Sequence, residues 1–116
     1  MNILRLEPEG GILSNCVATD QFVFTAGSVA DDLTLDVKGQ TRQTLAYIDQ
    51  VLAQAGTNKS KIVWANIWLA DIKLRDAMNE AWLAWVDPKN LPARACVESR
   101  MANPRYLVEI QVIAAK

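Results

Sequence analysis

The chain has 116 residues, of which 51% are apolar and 22% are charged, with 12 basic residues against 13 acidic ones. These values predict one globular domain spanning residues 1–116 and exclude an intrinsically disordered chain. No two Lys or Arg residues are adjacent, and nucleic acids and anionic membranes bind clustered cations. We therefore expect neither a nucleic-acid partner nor a membrane partner.

Histidine is absent from the sequence. Its absence excludes Ser-His-Asp and Cys-His catalysis and nearly all catalytic zinc sites, so we expect no metal and no cofactor. Any proton transfer must use a carboxylate, a backbone group or water.

The two cysteines, Cys16 and Cys96, form neither a disulfide framework nor a C-x-x-C motif. Charged residues recur through residues 1–11, which predicts no signal peptide, and no segment has the apolar length of a membrane span. We therefore expect a cytoplasmic protein with reduced thiols.

The first part of the chain predicts short strands. Residues 3–6 alternate weakly and are followed by a break at Pro8, while residues 15–18 and 21–26 predict a hairpin-like pair. Gly27 ends the third strand, where a glycine permits a turn and lets a ligand approach its N–H. A strand-ending glycine without any ligand is the simpler alternative.

Helical spacing of apolar and small residues predicts a helix over residues 37–55, with capping candidates at residues 31–36 and Gly56 at its end. Residues 62–69 are apolar on both alternating faces, which is typical of a central buried strand. Within that strand, Asn66 is expected to be a hydrogen-bonded core amide.

A second helix is predicted after Asp71, which we expect to cap it. Asn79 lies one step off the apolar stripe of this helix and is expected to face a cleft or solvent. The stripe itself predicts packing against a sheet and comprises Leu74, Met78, Ala81, Trp82, Trp85 and Val86.

Two final strands, over residues 93–98 and 107–114, each hold one charged residue inside an apolar run. Alternation places Arg94 on the same face as Cys96, and Glu109 lies within the last strand. A buried guanidinium or carboxylate needs a partner, and a small anion and an ordered water would be suitable ones. Two alternatives stay open: both charges lie on a solvated face, or they pair with each other.

The predicted order is β-β-β-α-β-α-β-β, an α+β fold with two helices on one face of a mixed sheet. A chain of this length cannot supply a third layer for the other face. We therefore expect a symmetric oligomer in which the sheets pack together.

Residues 92–98 (PARACVE), 108–114 (VEIQVIA) and 24–27 (FTAG) together resemble the RidA/YjgF family of enamine/imine deaminases. Three further segments are most similar to its YoaB-like branch: residues 56–60, 77–79 and 103–106. The resemblance implies a chorismate-mutase-like domain, a homotrimer and sites in the clefts between subunits. It implies hydrolysis of 2-enamine and 2-imine acids, such as 2-aminoacrylate, to 2-keto acids and ammonia.

In that chemistry Arg94 anchors the carboxylate of a small imino or keto acid, and Glu109 positions water and moves protons. The backbone N–H groups of Gly27 and Cys96 take the remaining carboxylate oxygens. The expected substrate-binding residues are thus Arg94, Gly27, Cys96, Ala26 and Asn79.

Two positions depart from the family pattern. The family often has a tyrosine where this chain has Leu13 and Ser14, and a serine where it has Ala26. These losses leave open a non-enzymatic member that binds small carboxylates or regulates a partner. Translation inhibition or ribonuclease action, attached to relatives, is disfavoured by the balanced charge.

Overall fold

A computed structural model describes all 116 residues, which fold in the predicted order of strands and helices. No helix combines the length and apolar character needed to cross a bilayer. The strands are β1 (Leu4–Glu9), β2 (Leu13–Ala18), β3 (Phe22–Thr25), β4 (Ile62–Leu69), β5 (Ala93–Glu98) and β6 (Val108–Ala115); the helices are α1 (Val37–Gln54) and α2 (Arg75–Trp85).

The six strands form one mixed sheet in the order β1-β2-β3-β6-β4-β5. Only β4 and β5 are parallel, and α2 lies in the crossover that connects them. Because β5 is an edge strand, a groove can exist between it and α2 without opening the centre of the sheet.

Both helices pack on one face of this sheet, as predicted. In β6 every second residue is fully buried beneath them, from Val108 through Ile110 and Val112 to Ala114. The helices complete the same core with residues such as Leu45 of α1 and Met78 of α2.

The opposite face of the sheet is apolar and open. Phe22 and Phe24 are each 39% exposed, Trp64 is 37% exposed and Val97 is 50% exposed. Exposed aromatic residues concentrated on one face are typical of protein interfaces. The expected trimer would cover this face, and it stays a prediction.

Helix α1 has the ends that its sequence predicts. The side chain of Asp36 accepts a hydrogen bond from the Gly39 N–H at 2.9 Å, which satisfies a free donor of the first turn. Gly56 follows the helix with a φ of +82°, a conformation that glycine adopts without strain.

Two local predictions were wrong. Strand β1 continues through Pro8 to Glu9, because β1 is an edge strand and a missing N–H costs nothing on its open side. Asp71 caps the short 3₁₀ helix Ile72–Leu74, and α2 begins only at Arg75 without a side-chain cap.

Candidate active site

The groove between β5 and α2 contains Arg94. Its register partner on β4 is the fully buried Ala65, so Arg94 lies on the helix-covered face together with Cys96. Arg94 Nη1 donates a hydrogen bond to Asn79 Oδ1 at 2.8 Å, and its Cζ lies 5.2 Å from the ring centroid of Trp82. The amide and the indole therefore fix the orientation of the guanidinium.

Arg94 has no anionic partner within the chain. The single ion pair of the structure joins Lys38 to Glu80, and the one hydrogen bond that Arg94 donates goes to a neutral amide. Burial lowers the pKa of Arg94, yet a guanidinium stays charged at neutral pH. Most of its five N–H donors remain free for an anion. Arg94 forms no ion pair with Glu109, so that predicted alternative is wrong.

A cavity of about 280 Å³ opens beside this guanidinium. Its size suits a small metabolite, and its walls are mostly apolar apart from the Arg94–Asn79 pair. The lining residues are Asn79, Trp82, Leu83, Val86, Leu91, Pro92 and Arg94.

Cys96 is the next residue on the same face of β5 and is partly buried. Desolvation raises the pKa of its thiol and outweighs the opposing influence of Arg94. The thiol is therefore neutral and a poor nucleophile, which disfavours covalent catalysis, and Cys96 is not among the residues that line the cavity.

Glu109 lies on the other face of the sheet. It is paired with Trp68 of β4, one residue from the buried Val108, so its side chain projects onto the open face. The carboxylate accepts no hydrogen bond from the chain, and desolvation raises its pKa. A partly desolvated carboxylate of this kind is suited to proton transfer.

Gly27 is a glycine because Glu109 occupies the space where a side chain would begin. Two backbone hydrogen bonds between Ser28 and Ile110, of 2.8 and 3.0 Å, hold this segment beside β6. A Cβ on Gly27 would lie 2.1 Å from Glu109 Oε2. Gly27 therefore lies directly beside the side-chain carboxylate of Glu109. The backbone N–H of Gly27 donates to no group of the chain.

Replacing Gly27 with alanine is expected to displace the Glu109 carboxylate while leaving the fold intact, because the far end of a flexible side chain can move. The rate of any reaction in which Glu109 transfers a proton should fall about tenfold, with a nearly unchanged melting temperature. In a Glu109→Gln background, Gly27→Ala should lower the rate much less, since both substitutions act on the same carboxylate. Equal losses in both backgrounds would contradict this contact.

The structure thus divides the predicted site residues into two groups. Arg94, Asn79 and Cys96 lie on the helix-covered face at the edge of the sheet, whereas Gly27 and Glu109 lie beside each other at the open face. A larger cavity of about 540 Å³ adjoins Gly27, but acidic and amide groups line it and no cation does. Of these two cavities, only the one beside Arg94 has a cation in its lining.

Ala26 precedes Gly27 in the chain, and only its backbone makes a hydrogen bond. Its N–H donates to the carbonyl of Asn15 at 3.0 Å, and its methyl group offers no donor where the family pattern has a hydroxyl.

Sequence reasoning missed one residue of the Arg94 group. Trp82 was predicted only as part of the core stripe, and it is indeed 6% exposed, but its ring also faces the guanidinium of Arg94. Its spacing from Asn79, three residues along one helix face, was the available signal.

Comparison with known proteins identifies the family and the fold. Residues 4–116 match the family model described as Endoribonuclease L-PSP. RutC family protein YoaB of Escherichia coli strain K12 is 42% identical over 115 residues, which cover 99% of each chain. The chain belongs to the RidA/YjgF family.

Other members of the RidA/YjgF family agree with this assignment. A RutC family protein of Haemophilus ducreyi is 45% identical over 92 residues, or 79% of each chain. The crystal structure of a YjgF family member from Neisseria meningitidis matches with a TM-score of 0.95 at 36% identity, covering 100% of this chain and 96% of that one. The predicted RidA-like fold and the resemblance to the YoaB branch are therefore confirmed.

Proposed function

We propose that this RidA/YjgF family protein hydrolyses reactive 2-enamine and 2-imine acids, such as 2-aminoacrylate, to 2-keto acids and ammonia. The observation that carries the proposal is the partly buried guanidinium of Arg94, which has no acidic partner and borders a cavity of about 280 Å³. Every such substrate carries a carboxylate, and a guanidinium binds carboxylates bidentately.

The neighbours of Arg94 support this role. Asn79 occupies one N–H of the guanidinium and Trp82 covers one of its faces, which leaves the remaining edge free for the substrate. Fixing the carboxylate at that edge also fixes the adjacent C=N carbon, so that water meets it in a defined position.

Glu109 supplies the proton transfers. Its ionised carboxylate accepts a proton from water as the oxygen adds to the C=N carbon, and it then donates that proton to the nitrogen, which gives a neutral amino alcohol. The carboxylate next transfers the hydroxyl proton of this adduct to the amino group. The C–N bond breaks, ammonia leaves and the carbonyl forms. The raised pKa of Glu109 brings this carboxyl closer to the range in which it can both accept and return a proton.

We infer that one substrate contacts two protomers of a homotrimer. Arg94 and Glu109 lie on opposite faces of one sheet, so a single small molecule cannot touch both within one chain. An oligomer in which the apolar open face of one protomer meets the β5 edge of the next would bring Glu109 of one copy to Arg94 of another.

The direct test is the release of keto acid in the presence of the purified protein. An amino-acid oxidase generates imines from a panel of amino acids, and the rate of keto-acid appearance is followed with and without added protein. We expect acceleration for at least one imine and saturation with imine concentration. Unchanged rates across the whole panel, with a correctly folded protein, would reject deamination.

Mixing two inactive variants tests the shared site. Arg94→Ala and Glu109→Gln are each expected to be nearly inactive, whereas co-expressed mixed trimers should regain about a quarter of wild-type activity, the fraction of sites that draw both native residues from different protomers. A mixture as inactive as either variant alone, despite proven subunit exchange, would place both residues of the site in one chain.

A non-enzymatic carboxylate-binding member of the family is the second candidate. Leu13 and Ala26 remove an aromatic ring and a hydroxyl that the family pattern often has, and Leu13 is 46% exposed on β2. Calorimetric binding of keto acids without acceleration of any imine would select this candidate.

The description of the matching family model also names an endoribonuclease. The net charge of −1 and the absence of adjacent basic residues do not favour binding to an RNA backbone. Deamination is therefore the function that the site supports best.

A further inference from the structure

We propose that Arg75 provides a second anion-binding position in the groove of Arg94, which selects 2-imino acids whose side chain carries its own acidic group. This inference rests on the proposed function, because Arg94 must hold the first carboxylate. It adds the class of substrate that the groove prefers.

The position of Arg75 follows from two contacts that bracket it. At one end of the groove, Asn79 of α2 faces Arg94 of β5 through their 2.8 Å hydrogen bond. At the other end, the Ile72 N–H donates to Glu98 Oε1 at 3.0 Å. Helix α2 therefore runs opposite to β5, and Arg75 falls between these contacts, level with Cys96.

Helical periodicity places Arg75 on the groove side. It precedes Asn79 by four residues and Trp82 by seven, so all three lie along one face of α2. The helix rises about 1.5 Å per residue, which separates Arg75 from Asn79 by about 6 Å along the axis. Cys96 follows Arg94 by a similar step along β5.

The charges of the groove are arranged for two anions. Arg75 is exposed and forms no ion pair, and its charge adds to the effect of burial in lowering the pKa of Arg94. The acidic group at the far end, Glu98, already accepts the Ile72 N–H. Both cations act electrostatically on Cys96, whose neutral thiol does not repel an anion in the groove.

The ligand chemistry follows from the axial step of about 6 Å between Arg75 and Asn79, the residue that holds Arg94. A monocarboxylate bound to Arg94 leaves Arg75 unoccupied, whereas we expect a dicarboxylic acid of four or five carbons to reach both. The corresponding substrates are the imines of dicarboxylic amino acids. Their hydrolysis is the same reaction: water adds at C2, the C–N bond breaks, and ammonia leaves a 2-keto diacid.

Calorimetry with a product-like probe and its neutral analogue isolates the second contact. The probes are 2-oxoglutarate and its 5-methyl ester, which share the 2-keto acid group and differ in the distal charge. We expect the wild-type protein to bind the diacid about fivefold more tightly than the ester, which is the upper range for a solvent-exposed ion pair. Raising the salt concentration should reduce this ratio.

Variants assign the preference to one side chain. Arg75→Gln should lower the ratio of the two affinities to about one, and Arg75→Lys should retain part of it. Arg42→Gln is the matched control, because it changes the net charge by the same amount. Arg42 is exposed on α1, and its charge helps to lower the pKa of Glu80. It should keep the full wild-type ratio.

The possible failures are distinguishable. If the wild-type protein binds both probes equally through Arg94, or if Arg75→Gln keeps the preference, the second position is rejected and the deaminase proposal stands. If neither probe binds, or if binding survives Arg94→Ala, the anchor itself fails and this inference fails with it.

Discussion

Replacing Arg94 with alanine is expected to lower kcat/KM for imine hydrolysis by about 100- to 1,000-fold, which corresponds to the loss of two charge-assisted hydrogen bonds. Arg94 is the only cation bordering the 280 Å³ cavity, so no neighbouring group within that cavity can replace it. The measurement is keto-acid release from an oxidase-generated imine over a range of imine concentrations.

Two further variants make this result specific. Arg94→Lys keeps the charge but loses the bidentate geometry and the planar contact with Trp82, so we expect an intermediate rate. Arg42→Ala, on the exposed surface of α1, should retain wild-type activity. Wild-type kinetics for a folded Arg94→Ala protein would remove the basis of the proposed mechanism.

Replacing Glu109 with glutamine is expected to lower kcat by about 100-fold or more, the usual contribution of a general acid–base group. The amide keeps the size of the side chain beside Gly27 but can no longer exchange a proton. KM should change little, because the carboxylate anchor is unaffected.

The pH profile provides a second readout for the same group. Burial raises the pKa of Glu109 above the ordinary value of 4.5, and the ionised form is the one that accepts a proton. Activity should therefore fall as pH decreases through a midpoint above 4.5, and this limb should be missing from the residual activity of Glu109→Gln. An unchanged acid limb in the variant would assign the limb to another group.

The stability of the folded protein should decrease, while the activity increases, as the pH rises through the pKa of Glu109. Because the native state binds the Glu109 proton more tightly than the unfolded state, its contribution to stability is lost as pH rises from the unfolded pKa through the folded pKa. The melting temperature of Glu109→Gln relative to wild type should therefore be higher at neutral pH than below pH 4.5. A difference independent of pH would contradict the desolvation of this carboxyl.

The sequence by itself determined the order of the elements and identified the residues to which the proposed chemistry is assigned. Helical spacing fixed α1 to within one residue of its observed end, Gly56 follows the helix as predicted, and the N-cap Asp36 is one of the candidates among residues 31–36. Alternation placed Arg94 and Cys96 on one face of β5, because this relation depends only on the local geometry of a strand. The resemblance to the RidA/YjgF family was based mainly on residues 24–27, 92–98 and 108–114.

Only the tertiary structure decided how these faces relate to one another. Alternation within single strands does not show whether Arg94 and Glu109 share a face of the sheet. That relation depends on how β5 and β6 are each aligned with β4, and the pairing of β4 with β6 is irregular between Ile62 and Trp64. The edge position that admits Pro8 into β1 is likewise a property of strand order.

The contacts of Arg94 were hidden for the same reason. Trp82 lies more than ten residues before Arg94 in the chain, and only the crossover from β4 through α2 to β5 brings its helix face beside Arg94. A periodic pattern shows which residues an element presents together, whereas the partner that they meet is set by the packing of whole elements.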